Sequence, residues 1–371
     1  MKKFFKILSI ILVCLSFEGC FNYSDINKTI FATSIILDID TAGYPVIYVE
    51  GFRPVKAGET ETGKGERLIF KGSGKTFFET IRQLNMISGS KINYTHNKAI
   101  IYTRKAAERG IGNFVDLLNR NHEFTMRQYA FVYMGDPERL INIKMKEEDY
   151  IGVYIMELMS NVKYSSKALS GNLNDYLNRR LMKQKTDVLP VLKFAESQLQ
   201  DKLIIDGGAV MKSDKMVSYF SKDKSEEYNF LNNNIKYGTL EVENPQDDKK
   251  YITLEINKSN TKTKLNYSKG KIILTKNIKV RSSVSSVQGS ISFDKDKIEK
   301  IEKEAEDNIT RECNELFNQY KKDGIDIFDV QEGLYERYPH VKSKNAINDT
   351  TLNINVKVNI TGTGITANFE E

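Results

Sequence analysis

The chain has 371 residues, 40% of them apolar and 28% charged, and its 55 basic and 49 acidic side chains leave a net charge of +6. That balance describes a globular chain, long enough for two or three cores, and excludes a disordered one. Charge mixed this evenly gives no argument for nucleic acid as a partner.

Lys2, Lys3 and Lys6 open the chain, followed by an apolar run from Ile7 to Phe17. The run is too short to cross a bilayer core as a helix, which takes about 20 residues. A basic head and a short apolar run make a secretory leader, to be left out of the fold. Gly19-Cys20 resembles the end of a bacterial lipobox, in which the cysteine is lipidated and becomes the first mature residue. Phe17 and Glu18 depart from the leucine and small residue usual before it. Cys14, inside the apolar run, is the poorer candidate. The reading is a signal peptide over 1–19 and two acyl chains on Cys20, enough to hold a soluble ectodomain to a membrane. An ordinary leader cleaved elsewhere, or an uncleaved short anchor, is the alternative. With Cys14 removed and Cys20 modified, Cys313 alone stays free, so no disulfide can form within the chain.

The β-branched stretch Ile30 to Ile39, the turn Gly43-Tyr44-Pro45 and the alternating Val46 to Phe52 predict a hairpin. Lys56 to Arg67 reads as a loop. Leu68-Ile69-Phe70 leads through Gly72-Ser73-Gly74 into a helix carrying Phe77, Ile81 and Leu84. Gly74-Lys75-Thr76 invites a phosphate-loop reading, but that motif needs a glycine where Ile69 stands. A glycine-rich turn into an amphipathic helix is the plain reading. Ser90 to Tyr102 predicts one strand, Lys105 to Leu118 a helix, Tyr129 to Met134 a strand, and Gly135-Asp136-Pro137-Glu138 the start of a short helix. Tyr150 to Leu158 and Asn172 to Met182 read as helices, the second capped by Ser170.

Pro190 to Phe194 predicts a further strand, followed by short strands at Leu203-Ile204-Ile205, Gly208 to Met211 and Met216 to Phe220. Glu226 to Asn232 is a brief helix. A meander follows, Tyr251 to Ile256, Thr261 to Tyr267 and Lys271 to Val280, with turns at Asn257 to Asn260 and Ser268 to Gly270. Ile298, Ile301, Ala305, Ile309, Cys313, Leu316 and Tyr320 make one apolar stripe on a helix from about Asp296 to Lys321. Leu352, Ile354, Val356, Val358 and Ile360 alternate with polar residues, which predicts a half-buried antiparallel strand under that helix. The class is α+β, with mixed and antiparallel sheets and packed helices. Its expected units are an N-terminal α/β domain over 20–195, a small middle domain over 196–270, and a C-terminal domain over 271–371.

Chemistry leaves little trace. His96, His122 and His340 are far apart and pair with no ligand at metal spacing. Cys313 lies on the apolar stripe and reads as a small buried hydrophobe. Asp323, Asp326 and Asp329 suggest calcium, but a calcium loop opening at Asp323 would need a glutamate where Leu334 stands, so helix exit and turn is the reading. No catalytic residue, cofactor or metal is assigned.

Taken in order, the segments resemble the Ger(x)C family, the lipoprotein C subunits of the nutrient germinant receptors of endospore-forming bacteria. The matching pieces are Cys20 to Ile26, the helix start Gly74 to Arg82 through Glu79, Lys91 to Ile101 around His96, and Ala106 to Arg120. Further on come the hairpin Gly207 to Lys215, Gln319 leading to Asp326-Ile327-Phe328, Tyr338-Pro339 and the closing strand. Phe21 and Val341 stand where the family carries tryptophan. The resemblance implies three α/β-type domains in a row, on the outer face of the spore inner membrane. It implies assembly with a multispanning A subunit and a membrane-spanning B subunit, and no catalysis; contact with the nutrient is left open. A lipid-anchored solute-binding protein and an envelope hydrolase are the competing readings.

Overall fold

A computed structural model describes residues 28–55, 65–121, 123–196 and 201–362. Its strands form two sheets, one of nine strands and one of four. The first sheet begins with β1 (Thr29–Ile39), β2 (Pro45–Phe52) and β3 (Arg67–Ser73), an antiparallel meander. Next to β1, and parallel to it, lie β4 (Lys91–Asn93) and β5 (Ala99–Thr103). β6 (Tyr129–Tyr133) and β7 (Thr186–Phe194) continue the parallel run. β8 (Leu203–Lys212) and β9 (Lys215–Phe220) close it as antiparallel neighbours.

All five residues of β5 are buried, as expected of a central parallel strand covered on both faces. Alternate side chains feed two cores. Ile35, Leu37, Ile100 and Tyr102 face helices α1 (Phe77–Ile87), α2 (Arg104–Arg109) and α3 (Gly112–Arg120). Ile36, Ile101, Phe131 and Tyr133 face α4 (Pro137–Ile141) and α5 (Ile151–Val162). A third helix layer element, α6 (Leu173–Arg179), packs with the first of these cores through Leu173, Tyr176 and Leu177.

The second sheet follows α7 (Ser225–Leu231) and has the order β10 (Gly238–Glu243), β11 (Tyr251–Ser268), β12 (Lys271–Val287), β13 (Thr350–Ile360). Against it lies α8 (Lys295–Asp323), burying Ile301, Ala305, Ile309, Cys313, Leu316, Phe317 and Tyr320. The helix also closes both sheet edges. Glu306 accepts the Val358 N–H at 3.1 Å and Glu302 the Ile360 N–H at 2.7 Å, both on edge strand β13. On the other edge, β10, the Glu243 N–H donates to Glu304 at 2.7 Å. Unpaired edge groups invite pairing with another chain, and these carboxylates occupy them.

The expected α+β class, with mixed sheets and packed helices, is what the structure has. Several expectations are corrected. Residues 90–102 form two strands, because the chain turns at Asn97, whose buried amide donates to Gln128 Oε1 at 2.7 Å. The helix expected from Lys105 breaks into α2 and α3 at Gly110, whose φ of 124° no helix interior allows. Asn172, not Ser170, caps α6, its side chain accepting the Asp175 N–H at 3.0 Å. Asn257 to Asn260 is no turn: β11 continues through it with a register shift at Asn257, because the long partner β12 supplies a ladder on which exposed polar residues fit. β13 is parallel to β12, since the connection between them carries the long helix α8 and so crosses over.

The segment 196–270 has no sheet of its own. Phe194 pairs with Leu203 across one expected boundary, and Ser268 with Lys271 across the other. Each boundary falls between two strands that pair antiparallel, and a reversal of the chain says nothing of which sheet the strands join. Its strands divide, β8 and β9 going to the first sheet, β10 and β11 to the second.

Candidate functional site

The lipidation candidate Cys20 lies outside the described residues, as does His122. His96 is exposed at the β4–β5 turn, edge-on to Phe31 with ring centroids 5.2 Å apart. His340 is exposed beyond α9 (Val330–Arg337), against the second sheet. Among the described residues no three His, Cys, Asp or Glu side chains gather so as to hold a metal ion. Cys313 is on the buried face of α8, where burial pushes its thiol well up, the state of an inert cysteine. Gly74-Lys75-Thr76 is a helix start: Thr76 Oγ1 accepts the Glu79 N–H at 3.2 Å and Glu79 Oε2 the Lys75 N–H at 2.9 Å.

The polar cluster that joins distant parts of the chain sits where the two sheets meet. Arg179 ends α6; Asp187 is on β7; Asp329 precedes α9. Arg179 Nε donates to Asp187 Oδ1 at 2.6 Å, while Nη1 and Nη2 reach the two Asp329 oxygens at 3.0 and 2.8 Å. This bidentate fork is the strong form of the pair. Gln184 Nε2 adds a third donor to Asp329 at 2.8 Å, and the Lys183 N–H donates to Glu332 on α9 at 2.7 Å. Burial pushes the Asp187 carboxyl up to about 6, against the opposing pull of Arg179. Asp326 lies three residues before Asp329 and accepts the N–H groups of Phe328, Val330 and Gln331 at 3.1, 3.2 and 2.7 Å. So two of the three clustered aspartates serve the start of α9 and its docking on the first sheet.

Beside the junction opens a cleft of about 850 Å³ whose walls include Asn172, Arg179, Asp187, Tyr228, Asn229 and Asp329. Every guanidinium nitrogen of Arg179 is engaged by a carboxylate of the same chain, so the fork joins the first sheet to α9.

A second buried cluster centres on Glu50 of β2, which is fully buried. Its carboxylate accepts from Arg67 Nε at 2.7 Å, Thr33 Oγ1 at 2.8 Å and Ser34 Oγ at 3.0 Å. It also accepts the first two N–H groups of α5, Ile151 at 2.9 Å and Gly152 at 3.3 Å. Position 152 must be glycine: a Cβ there would stand 1.8 Å from the Thr33 carbonyl oxygen. Sequence reasoning missed Glu50 and Arg179. Neither sits in a local motif, and both take their partners from segments far along the chain.

A family model described as spore germination protein N-terminal domain matches residues 22–194. A second, described as spore germination B3/GerAC like, C-terminal, matches residues 206–364. The chain belongs to the GerAC-like family of spore germination proteins. Among relatives, it is 24% identical to spore germination protein GerQC of Bacillus cereus over 71% of its own length and 73% of the relative's. It is 20% identical to spore germination protein B3 of Bacillus subtilis (strain 168), over 89% of each chain. A crystal structure of the GerBC protein shares the fold, with a TM-score of 0.58 at 16% identity, covering 88% of this chain and 96% of that one. The two family models part at the β7–β8 turn, and the hydrogen-bonded sheet runs across that division.

Within the family, the hairpin Gly207 to Lys215 that carried part of the resemblance is the β8–β9 pair. Gly207 holds φ at 82°, and a Cβ on it would meet the Phe220 carbonyl oxygen at 1.9 Å.

Proposed function

We propose that this chain is a lipid-anchored, non-catalytic C subunit of a nutrient germinant receptor, held to the outer face of the spore inner membrane through Cys20. It works beside membrane-embedded A and B subunits. The observation that carries the reading is the pair of GerAC family models matched in order over 22–194 and 206–364, directly after the leader and Cys20. The Arg179 fork between the first sheet and α9 is a contact that a coupling role would use. Among the described helices none is long and apolar enough to cross a membrane. A solute-binding lipoprotein would favour two similar lobes, whereas a nine-stranded mixed sheet stands here beside a four-stranded one.

The deciding experiment deletes the gene in a strain without a second copy and follows germination triggered by nutrients. Loss of the response to at least one nutrient is expected. Unchanged germination with every nutrient would end the receptor reading. Palmitate labelling of wild type but not of Cys20→Ala tests the anchor, and detergent co-purification with two membrane subunits tests the assembly.

A further inference from the structure

Helix α1 buries Phe77, Thr80, Ile81 and Leu84 against the first sheet. It also carries a second apolar face, turned to solvent. Phe78 is 52%, Met86 83% and Ile87 64% exposed. Phe78, Arg82 and Met86 follow at intervals of four, so they line one side of the helix. The Arg82 guanidinium lies over the Phe78 ring, 4.9 Å from its centre. Single exposed apolar side chains are ordinary, but a cluster on one short helix marks a contact surface.

Alongside this face runs an open groove of about 1390 Å³, lined by Lys75, Arg82, Lys91, Arg109 and Arg120 against Asp116 and Glu123. Both carboxylates already have partners within it, Asp116 with Arg120 at 2.8 Å and Glu123 with Lys91 at 3.3 Å. Positive charge is therefore in excess. Basic side chains flanking an apolar helix face match the boundary of an anionic bilayer, phosphates outside and acyl chains within.

The entry point of the chain picks the occupant. Thr29 at the start of β1 pairs with Lys91 at the start of β4, four residues beyond Ile87. The chain thus enters the fold beside the Met86–Ile87 end of α1. Lys28 lies eight chain steps after Cys20, a reach of at most about 29 Å when fully extended. A lipid on Cys20 would hold this end of the molecule within that reach of the membrane.

We propose that the face of α1 formed by Phe78, Arg82, Met86 and Ile87 rests on an anionic phospholipid bilayer, with headgroup phosphates in the neighbouring basic groove. The tether half of the argument rests on lipidation of Cys20; the apolar face and the groove do not.

The chain contains no tryptophan, so one substitution installs a single reporter. Met86→Trp in the full chain, mixed with phosphatidylglycerol vesicles, is expected to show blue-shifted emission and strong quenching by brominated acyl chains. Val217→Trp, at a position 45% exposed on β9 across the sheet, is expected to stay several-fold less quenched. Arg82→Glu in the Met86→Trp chain should cut quenching in phosphatidylglycerol vesicles several-fold. Equal, weak quenching at both reporter positions overturns the proposal. Mass spectrometry of the Cys20 peptide from spore membranes reads the anchor separately. An unmodified peptide would remove the tether argument and the anchor reading, while quenching at position 86 by added vesicles would still uphold the face. A lipidated peptide with an unquenched Met86→Trp indole would remove the face alone.

Discussion

Glu50 gathers five donors on one buried carboxylate, drawn from β1, β3 and the first turn of α5. Removing it leaves the Arg67 charge and two helix N–H groups without their acceptor. Glu50→Ala is expected to destabilise the chain by about 3–5 kcal/mol, the usual loss when one partner of a buried pair goes. Urea denaturation would measure it, and Glu50→Gln, which keeps the shape, should lose clearly less. Asp187 makes a pH-dependent case. Its carboxyl is raised by burial to about 6 in the fold, above its ordinary value in an unfolded chain. The folded state therefore holds a proton that the unfolded state has released across the window from about 4 to 6. Stability from this group is present below that window and falls as pH rises through it, by on the order of 3 kcal/mol. Asp187→Asn should flatten that part of the stability profile. A slope unchanged in the variant would reject the assignment. Neither residue stood out in the sequence, because burial and distant partners, not neighbours in the chain, give each its role.

At the scale of elements, α8 does two things with two faces. Its apolar stripe could be read from steps of three and four; the residues it predicts are buried except Ile298, which is only partly so, and Phe317 is buried in addition. Glu302, Glu304 and Glu306 accept edge N–H groups of β13 and β10, which alternation within the helix cannot reveal. The double variant Glu302→Ala, Glu306→Ala is expected to speed hydrogen exchange at Val358 and Ile360 and to cost about 1–3 kcal/mol. Exchange at the paired amides of β12 should be unaffected; uniform acceleration through the sheet would mean the caps hold more than the edge.

For the whole molecule, the fork from Arg179 to Asp187 and Asp329 ties the first sheet to α9 and so to the second core. Arg179→Met leaves two carboxylates facing each other without a cation. The expected result is a denaturation curve that splits into two transitions when followed by probes in each sheet. Arg180→Met, which breaks an ion pair with Asp214 inside the first sheet, should lower the midpoint without splitting it. A single transition in the Arg179 variant would show that apolar contact alone couples the bodies. The same junction carries Gln184 and Glu332 contacts, so the split should widen when Asp329→Ala is added.

Helix and strand character and the family likeness were legible in the amino-acid order. Each rests on a short-range property: a period of two or of 3.6, a cap, a turn residue, a motif. The direction of β13, the assignment of β8 and β9 to the first sheet, and the Glu50 and Arg179 clusters were decided only by the folded chain. Strand pairing and buried charge depend on which distant segments meet, and the local pattern of a strand is the same whichever neighbour it finds.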